Sequence, residues 1–313
     1  MSDQLPPQAD TGQADTGSTP PLPLRRLVSW NVLEGMFQPQ AGGETEHRAP
    51  DESRRRAAVT LIDRLKPDVL VLNEALYCEE AFGQVEKYAD LFGFPHATSR
   101  LYDGSWGNAI LSRFQATDVV ALTVHRSGAT QDRGMLAVRL KFPEGEAWIA
   151  TYHPHPQRRP KKRLEDYGEF LPLLPGPLLF VGDMNAISPE DEPDAAVLTK
   201  GFEHFRAKKD VAKREVERFL EAGHVLFEQV MPRFGLHDAM PPDERHYTIP
   251  TAMLSTDISG AMRIDHILAN RGVTVENGWV VRDGEADVAS DHYPVTADFR
   301  LAGVMSCPSG PRM

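Results

Sequence analysis

Asp183 and Asn185 stand two positions apart where the apolar run "LLFVGDMNA" stops on Gly182. An acid in that place can orient or deprotonate a water, and an amide NH₂ can hold a non-bridging phosphate oxygen. Side chains separated by one residue project to the same side of an extended chain, and Gly182 permits a tight backbone turn. Other apolar runs carry polar residues in the same way: Asn31 closes "LVSWN", Glu74 closes "VLVLNE" and His153 closes "WIATYH". Asp265 lies inside "RIDHIL", and Ser290-Asp291-His292 leads into a last apolar run. Singly, each has an ordinary explanation as a cap, a turn residue or a satisfied histidine. Repeated placement at strand ends points instead to one shared site. Glu74, Asp183 and Asp291 are hard oxygen donors of the kind Mg²⁺ or Mn²⁺ prefers, and no HExxH or thiolate pattern suggests zinc. In a regular strand Asp291 and His292 would point apart, so they need a loop to share a site; Pro294 favours one.

The elements that must position these residues alternate along the chain. "RRLVSWNV" reads as a first strand, and "SRRRAAVTLIDRLKP" as a helix behind a Ser53 cap, with Ala58, Leu61, Ile62 and Leu65 on one face and Pro67 as its stop. "DVLVLNEAL" is a buried strand, and "EEAFGQVEKYADLFG" a second helix ending at Gly93. "GNAILSR", "ATDVVALTV", "RGMLAVRL" and "EAWIATYH" follow so closely that antiparallel hairpins are expected. A helix near "KKRLEDYGEFL" precedes the strand "PLLFVGD", and "MRIDHILAN", "VTVENGWVV" and "YPVTADFRL" supply three more strands. The region from about 187 to 246 is charged and helix-periodic, as expected for a helical insertion with an amphipathic, solvated surface. The whole reads as a mixed α/β domain spanning residues 24–301, with enough strands for two sheets.

A chain of 313 residues with 41% hydrophobic content can bury a sizeable core. Residues 1–23 are rich in Pro, Gly, Gln, Ser and Thr and are expected to be a disordered tail, and residues 302–313 are expected to be a Pro/Gly-rich C-terminal tail. The N-terminal stretch lacks the features of a secretory signal, and no apolar run reaches the roughly 20 residues of a membrane span. Cys78 and Cys307 alone make a disulfide framework improbable, so a cytoplasmic location is the default expectation; a monomer is expected. A net charge of −11 argues against an indiscriminate nucleic-acid coat protein. Basic residues are nevertheless bunched at Arg54–Arg56, from Arg158 to Arg163, and around Lys208–Arg214.

The ordered set "WN", "PDVLVLNE", "GNAILSR", "TYH", "GDMN", "RIDHI" and "SDHYP" resembles the endonuclease/exonuclease/phosphatase superfamily, over about residues 24–301 apart from the insertion. The resemblance implies the deoxyribonuclease-I-like four-layer α/β sandwich, in which two mixed, mainly antiparallel sheets pack face to face between helices. It also implies a Mg²⁺- or Mn²⁺-dependent phosphoesterase site at one end. Transferred position by position, Asn31, Glu74 and Asp291 surround the metal. His153 binds phosphate or protonates the leaving group, Asp183 positions water, Asn185 holds phosphate, and Asp265 orients the His292 imidazole. Either Asp183 or His292 is then the base. Two positions depart from the pattern: Asn73 replaces the usual Gln before the metal-binding Glu, and "HPHP" leaves His155 as an alternative to His153. The resemblance leaves the substrate open among DNA, RNA, lipid head groups and inositol phosphates; the Arg158–Arg163 cluster as a basic rim, with no membrane-binding apolar segment, favours DNA or RNA. Lipid head groups or inositol phosphates are the alternative, and a non-catalytic module is disfavoured because no ligand position is missing.

Overall fold

Alternation of large apolar side chains on the strands dictates two packed faces, and a computed structural model shows both covered. It describes residues 22–38, 49–76, 85–103, 106–124, 133–203 and 209–302. Most of the two terminal tails, Cys78, Cys307, Lys208 and the start of the second expected helix lie outside the described residues.

Twelve strands among the described residues form two six-stranded sheets. The first contains β1 (Arg25–Asn31), β2 (Val69–Leu76), β3 (His96–Asp103), β4 (Trp106–Ser112), β11 (Val273–Val280) and β12 (Val295–Leu301), in the order β11-β12-β1-β2-β4-β3. The second contains β5 (Ala116–Val124), β6 (Arg133–Phe142), β7 (Gly145–Tyr152), β8 (Leu178–Asp183), β9 (Leu236–Asp238) and β10 (Asp265–Asn270), in the order β5-β6-β7-β8-β10-β9. On β8, Leu179 and Val181 enter the core shared with the first sheet, whereas Leu178 and Phe180 face the outer helices. The period of two therefore builds two cores from one strand.

Each sheet has one parallel pair, β1 with β2 and β7 with β8. A parallel neighbour needs a crossover, here α1 (Glu52–Leu65) and α3 (Pro160–Phe170). Parallel strands end at the same edge, so Asn31 and Asn73 are register partners in one sheet while β7 and β8 end side by side in the other. β10 runs antiparallel to β8 and pairs Asp265 with Asp183. Asp265 thus opens its strand instead of lying inside it, and reversal of direction brings it to the same edge.

Helix α1 is capped by Asp51, whose Oδ1 accepts the Ser53 and Arg54 amides, in place of the expected Ser53. The second helix, α2 (Val85–Phe92), ends at Gly93 with φ +68°. In the region 187–246, α4 (Ala195–Phe202) and α5 (Lys209–Gly223) lead into a π-helical stretch, His224–Val230, and a short turn, α6 (Met231–Phe234). This region is not merely a solvated surface. Leu198, Phe202, Val216 and Phe219 build a third apolar cluster with Met262 and Ile264, and Ala222, Val225 and Leu226 join the outer core. Toward its end, Leu236–Asp238 form β9, a strand of the second sheet. Helix α7 (Gly284–Ala289) precedes the Ser290-Asp291-His292 loop and packs on α1.

Candidate active site

The convergent strand ends place the predicted side chains in one buried network. Asn31 donates its amide Nδ2 to Asp183 Oδ2 at 3.0 Å, joining the two sheets. His153 Nε2 lies 3.2 Å from the same oxygen and 3.8 Å from Glu74 Oε1. His292 Nδ1 is hydrogen-bonded to Asp265 Oδ2 at 2.8 Å, and its Nε2 is 3.8 Å from Asp183 Oδ2. Asp183 is therefore the centre, faced by two imidazoles and an amide. His155 is elsewhere, its Nδ1 accepting the Gln157 amide.

Backbone irregularities aim these groups. Regular alternation would send Asn73 and Glu74 to opposite faces. Instead β2 is bulged against β4 between Leu72 and Ala75, and Glu74 has φ +54°. That left-handed kink, uncommon for a residue with a side chain, brings the Glu74 carboxylate beside His153. The Asp183–Asn185 segment is not extended as the spacing suggested. Asn185 has φ +44° and its amide N–H returns to Asp183 Oδ1 at 2.9 Å, while its Nδ2 donates to Pro154 O at 3.0 Å. Gly182 serves close packing within β8: a Cβ there would meet Asn73 Oδ1 and Thr151 Oγ1 at 2.8 Å. The shorter amide of Asn73 keeps a structural role, accepting the Asp183 N–H and donating to Asn108 Oδ1 and Thr151 Oγ1.

The Ser290-Asp291-His292 loop is stitched to the end of β1. Ser290 Oγ donates to Asn31 O, and Trp30 Nε1 donates to His292 O. Asp291 is held chiefly by its backbone, whose carbonyl accepts the Thr251 N–H. Two arginines from the basic runs are buried and fix the surrounding loops. Arg54, 3% exposed, donates to the carbonyls of Ala289, Phe37, Val32 and Leu33. Arg163, 1% exposed, donates to Met184 O and His155 O, tying the loop after β7 to the loop after β8. Arg158 is paired with Asp166. The expected basic rim is thereby reduced to exposed Arg159, Lys161 and Lys162, the last paired with Glu165.

Arg133 and Tyr102 were not among the expected site residues. Both are buried, the guanidinium lies 5.4 Å from the phenol ring centroid, and Arg133 Nε and Nη1 and Tyr102 Oη have no hydrogen-bond partner among the described residues. His153 Nδ1 is likewise unpartnered. Burial pushes the Tyr102 hydroxyl well above its ordinary value; Arg133 opposes this, and the charges of Glu74 and Asp183 add to it. Buried donors without partners are costly unless an anion completes them.

The electrostatics follow from the same contacts. Burial alone would raise the Asp183 carboxyl, but His153, His292 and the Asn185 amide hold it well below the usual carboxylate range. Burial disfavours a charged His292, yet Asp265, Asp291 and Asp183 raise it well above an ordinary histidine. Asp291 is pushed up by burial and by the charges of Glu74 and Asp183, against the lowering effect of His292 and Arg54. Negative charge thus accumulates around oxygen donors, an environment suited to a hard divalent cation. Asp183, Asp265 and His292 also offer donor atoms within 4.8 Å of one another.

Two face-to-face mixed sheets with helices outside, and this site at one end, define the deoxyribonuclease-I-like α/β sandwich. The chain matches the Endonuclease/Exonuclease/phosphatase family over residues 28–292 and belongs to that family. Its members are in general hydrolases of phosphoester bonds, so the family indicates activity of that class. Among solved structures, one similar to it is an endonuclease/exonuclease/phosphatase from Beutenbergia cavernae, with 21% identity over 89% of this chain and 72% of that one, and a TM-score of 0.59. Another is the TDP2 protein of D. rerio complexed with single-strand DNA product, with 16% identity, 89% and 99% coverage and a TM-score of 0.55. A third is the 3′ phosphatase NExo from Neisseria bound to a product DNA hairpin, with 18% identity, 88% and 100% coverage and a TM-score of 0.56. No curated protein sequence matches the chain significantly. Among the described residues no helix is long and apolar enough to cross a membrane.

Proposed function

We propose that this protein is a divalent-metal-dependent phosphodiesterase that hydrolyses DNA or RNA by in-line attack of water. The observation that carries the reading is Asp183 held ionised between two imidazoles and an amide, beside buried donors with no partner of their own. Asn31, Glu74 and Asp291 would hold Mg²⁺ or Mn²⁺, which suits their oxygen donors and the accumulated negative charge. When bound, such an ion neutralises charge on the phosphoryl group and helps the leaving oxygen depart.

The remaining steps belong to the chain's own side chains. Asp183 orients the attacking water and accepts its proton. His292 presents positive charge through Nε2, because its Nδ1–H donates a hydrogen bond to the Asp265 carboxylate, which fixes the ring and favours its charged form. That arrangement favours Asp183 over His292 as the base. His153, facing both Asp183 and Glu74, donates toward the phosphate or leaving oxygen. Asn185 adds an amide contact to the phosphate. Arg133 and Tyr102 complete an anion-holding wall whose guanidinium suits a phosphate better than a point charge would.

The DNA products bound by two of the similar structures support a nucleic-acid substrate over a lipid or inositol phosphate. The test is hydrolysis of bis(p-nitrophenyl) phosphate and of short single-stranded DNA and RNA with Mg²⁺ or Mn²⁺. Asp183→Asn should lower kcat by ~10²–10⁴-fold. Undiminished turnover in that variant, or none in the wild type with either metal, overturns the reading.

A further inference from the structure

The turn that carries Asp183 and Asn185 must be held after Asn185 as well as before it. Met184 N–H donates to Ile264 O at 2.9 Å, and the next carbonyl outward, Ala186 O, faces His266 Nε2 at 2.8 Å. His266 is fully buried on β10, one residue after Asp265, and is paired in register with Gly182. Its other nitrogen, Nδ1, lies 3.2 Å from Arg263 Nη1. A guanidinium can only donate, so Nδ1 accepts, the ring proton sits on Nε2, and Nε2–H donates to Ala186 O.

Arg263 is itself fixed. Its Nε and Nη2 grip the Asp191 carboxylate at 2.9 and 2.8 Å, and Nη2 lies 2.8 Å from Asp238 Oδ2 on β9. The charged groups acting on the His266 ring are therefore Arg263, Asp238 and Asp191; burial and the Arg263 charge both favour the neutral ring, against the opposing pull of the two acids.

The helical insertion closes the assembly. Phe227, in its π-helical stretch, meets the His266 ring edge-on at 5.0 Å. Ile187 N–H donates to Phe219 O on α5 at 3.0 Å, and a Cβ on Gly223 would lie 1.8 Å from Ile187 O. Helix α5 thus packs backbone against backbone on the residues that follow Asn185. A π-turn changes which face a helix presents, and here it puts Phe227 on the imidazole.

We propose that His266, fixed by Arg263 as the Nε2–H tautomer, is a positioning residue for the Asp183–Asn185 turn, and that the helical insertion acts on catalysis through this contact. The inference rests on reading that turn as catalytic. His266 touches no reacting atom; it sets the place of residues that do.

The test compares His266→Leu, which removes the donor, with His266→Gln, whose amide can donate to Ala186 O and accept from Arg263. On bis(p-nitrophenyl) phosphate, His266→Leu should lower kcat by about 10²-fold with KM little changed, the effect of misplaced catalytic groups. His266→Gln should restore most of that loss. Amide exchange of residues 184–187 should accelerate in the Leu variant and return toward wild type in the Gln variant. This measurement needs no turnover, so it decides the positioning role even where wild-type hydrolysis fails and overturns the proposed function. Unchanged kcat and exchange in His266→Leu, or a Gln variant no better than Leu, overturns the inference. Should the Leu variant not fold, ¹⁵N spectra of the wild-type imidazole decide it: a proton on Nδ1 is incompatible with the proposal.

Discussion

Gly182→Ala should damage stability and activity together, and the contacts give the size of the effect. The residue lies inside β8 with φ +136°, a conformation that costs an L-residue about 1–3 kcal/mol. Its new methyl would meet Asn73 Oδ1 and Thr151 Oγ1 at 2.8 Å and Tyr152 O at 3.0 Å. Overpacking of this kind adds about 1–3 kcal/mol, so the total is about 2–6 kcal/mol. The carbonyl of Tyr152 belongs to a paired strand and cannot yield, so relief must come from Asn73. That side chain accepts the Asp183 N–H at 2.9 Å and donates to Thr151 Oγ1 at 3.0 Å. Displacing it moves the main chain that carries the proposed base. Urea unfolding followed by tryptophan fluorescence should show the loss, and the melting temperature should fall by at least about 4 °C. Phosphodiester turnover should fall more than the folded fraction does. Wild-type stability, or a destabilised variant with full kcat, would refute the claim that Gly182 is required by this three-way contact.

Arg133→Met should raise KM for phosphodiesters with a smaller effect on stability, because the guanidinium has unpartnered donors to offer an anion; steady-state kinetics with added inorganic phosphate as competitor checks this. Asp291→Asn should weaken Mn²⁺ binding measured by calorimetry, yet raise the melting temperature of the metal-free protein, since burial, Glu74 and Asp183 all oppose the Asp291 charge. Acid unfolding should depend on Asp238: burial raises its carboxyl, but the Arg263 guanidinium beside it outweighs that and holds it below the ordinary value. Its stabilising contribution is then present above about pH 3.9 and lost as pH falls through the lower folded value, so Asp238→Asn should be less stable at neutral pH with a shallower acid limb.

The alternation of strands and helices was legible because most elements bury a simple face. The β1-α1-β2 and β7-α3-β8 units follow from period-two runs joined by a period-3.6 stripe, and their parallel strands explain why polar residues at strand ends converge. The insertion was less legible. Charge on one face of α5 hid how far Val216, Phe219 and Ala222 on the other face enter the apolar clusters. Nothing in local periodicity announces β9 either, since a three-residue strand has too few alternations to register.

Within the site, sequence spacing could name the groups but not the backbone that aims them. Glu74 reaches His153 only through a bulge, and Asn185 turns back on Asp183 through a left-handed residue, neither of which regular strand geometry contains. The buried arginines are hidden for a different reason: a run of cations looks like a basic patch, whereas helical phase puts two of them on apolar stripes. Arg54 lies on the stripe of Ala58, Leu61, Ile62 and Leu65, and Arg163 on that of Tyr167 and Phe170. A cation on an apolar stripe must find internal acceptors, and at the edge of a sandwich the acceptors available are the carbonyls of strand-end loops. Arg54 binds three of them after β1, at Val32, Leu33 and Phe37, together with the Ala289 carbonyl that ends α7, and Arg163 binds those after β7 and β8. Charge at a core position thus marks where the chain must lock its loops, and here those are the loops that carry the candidate site residues.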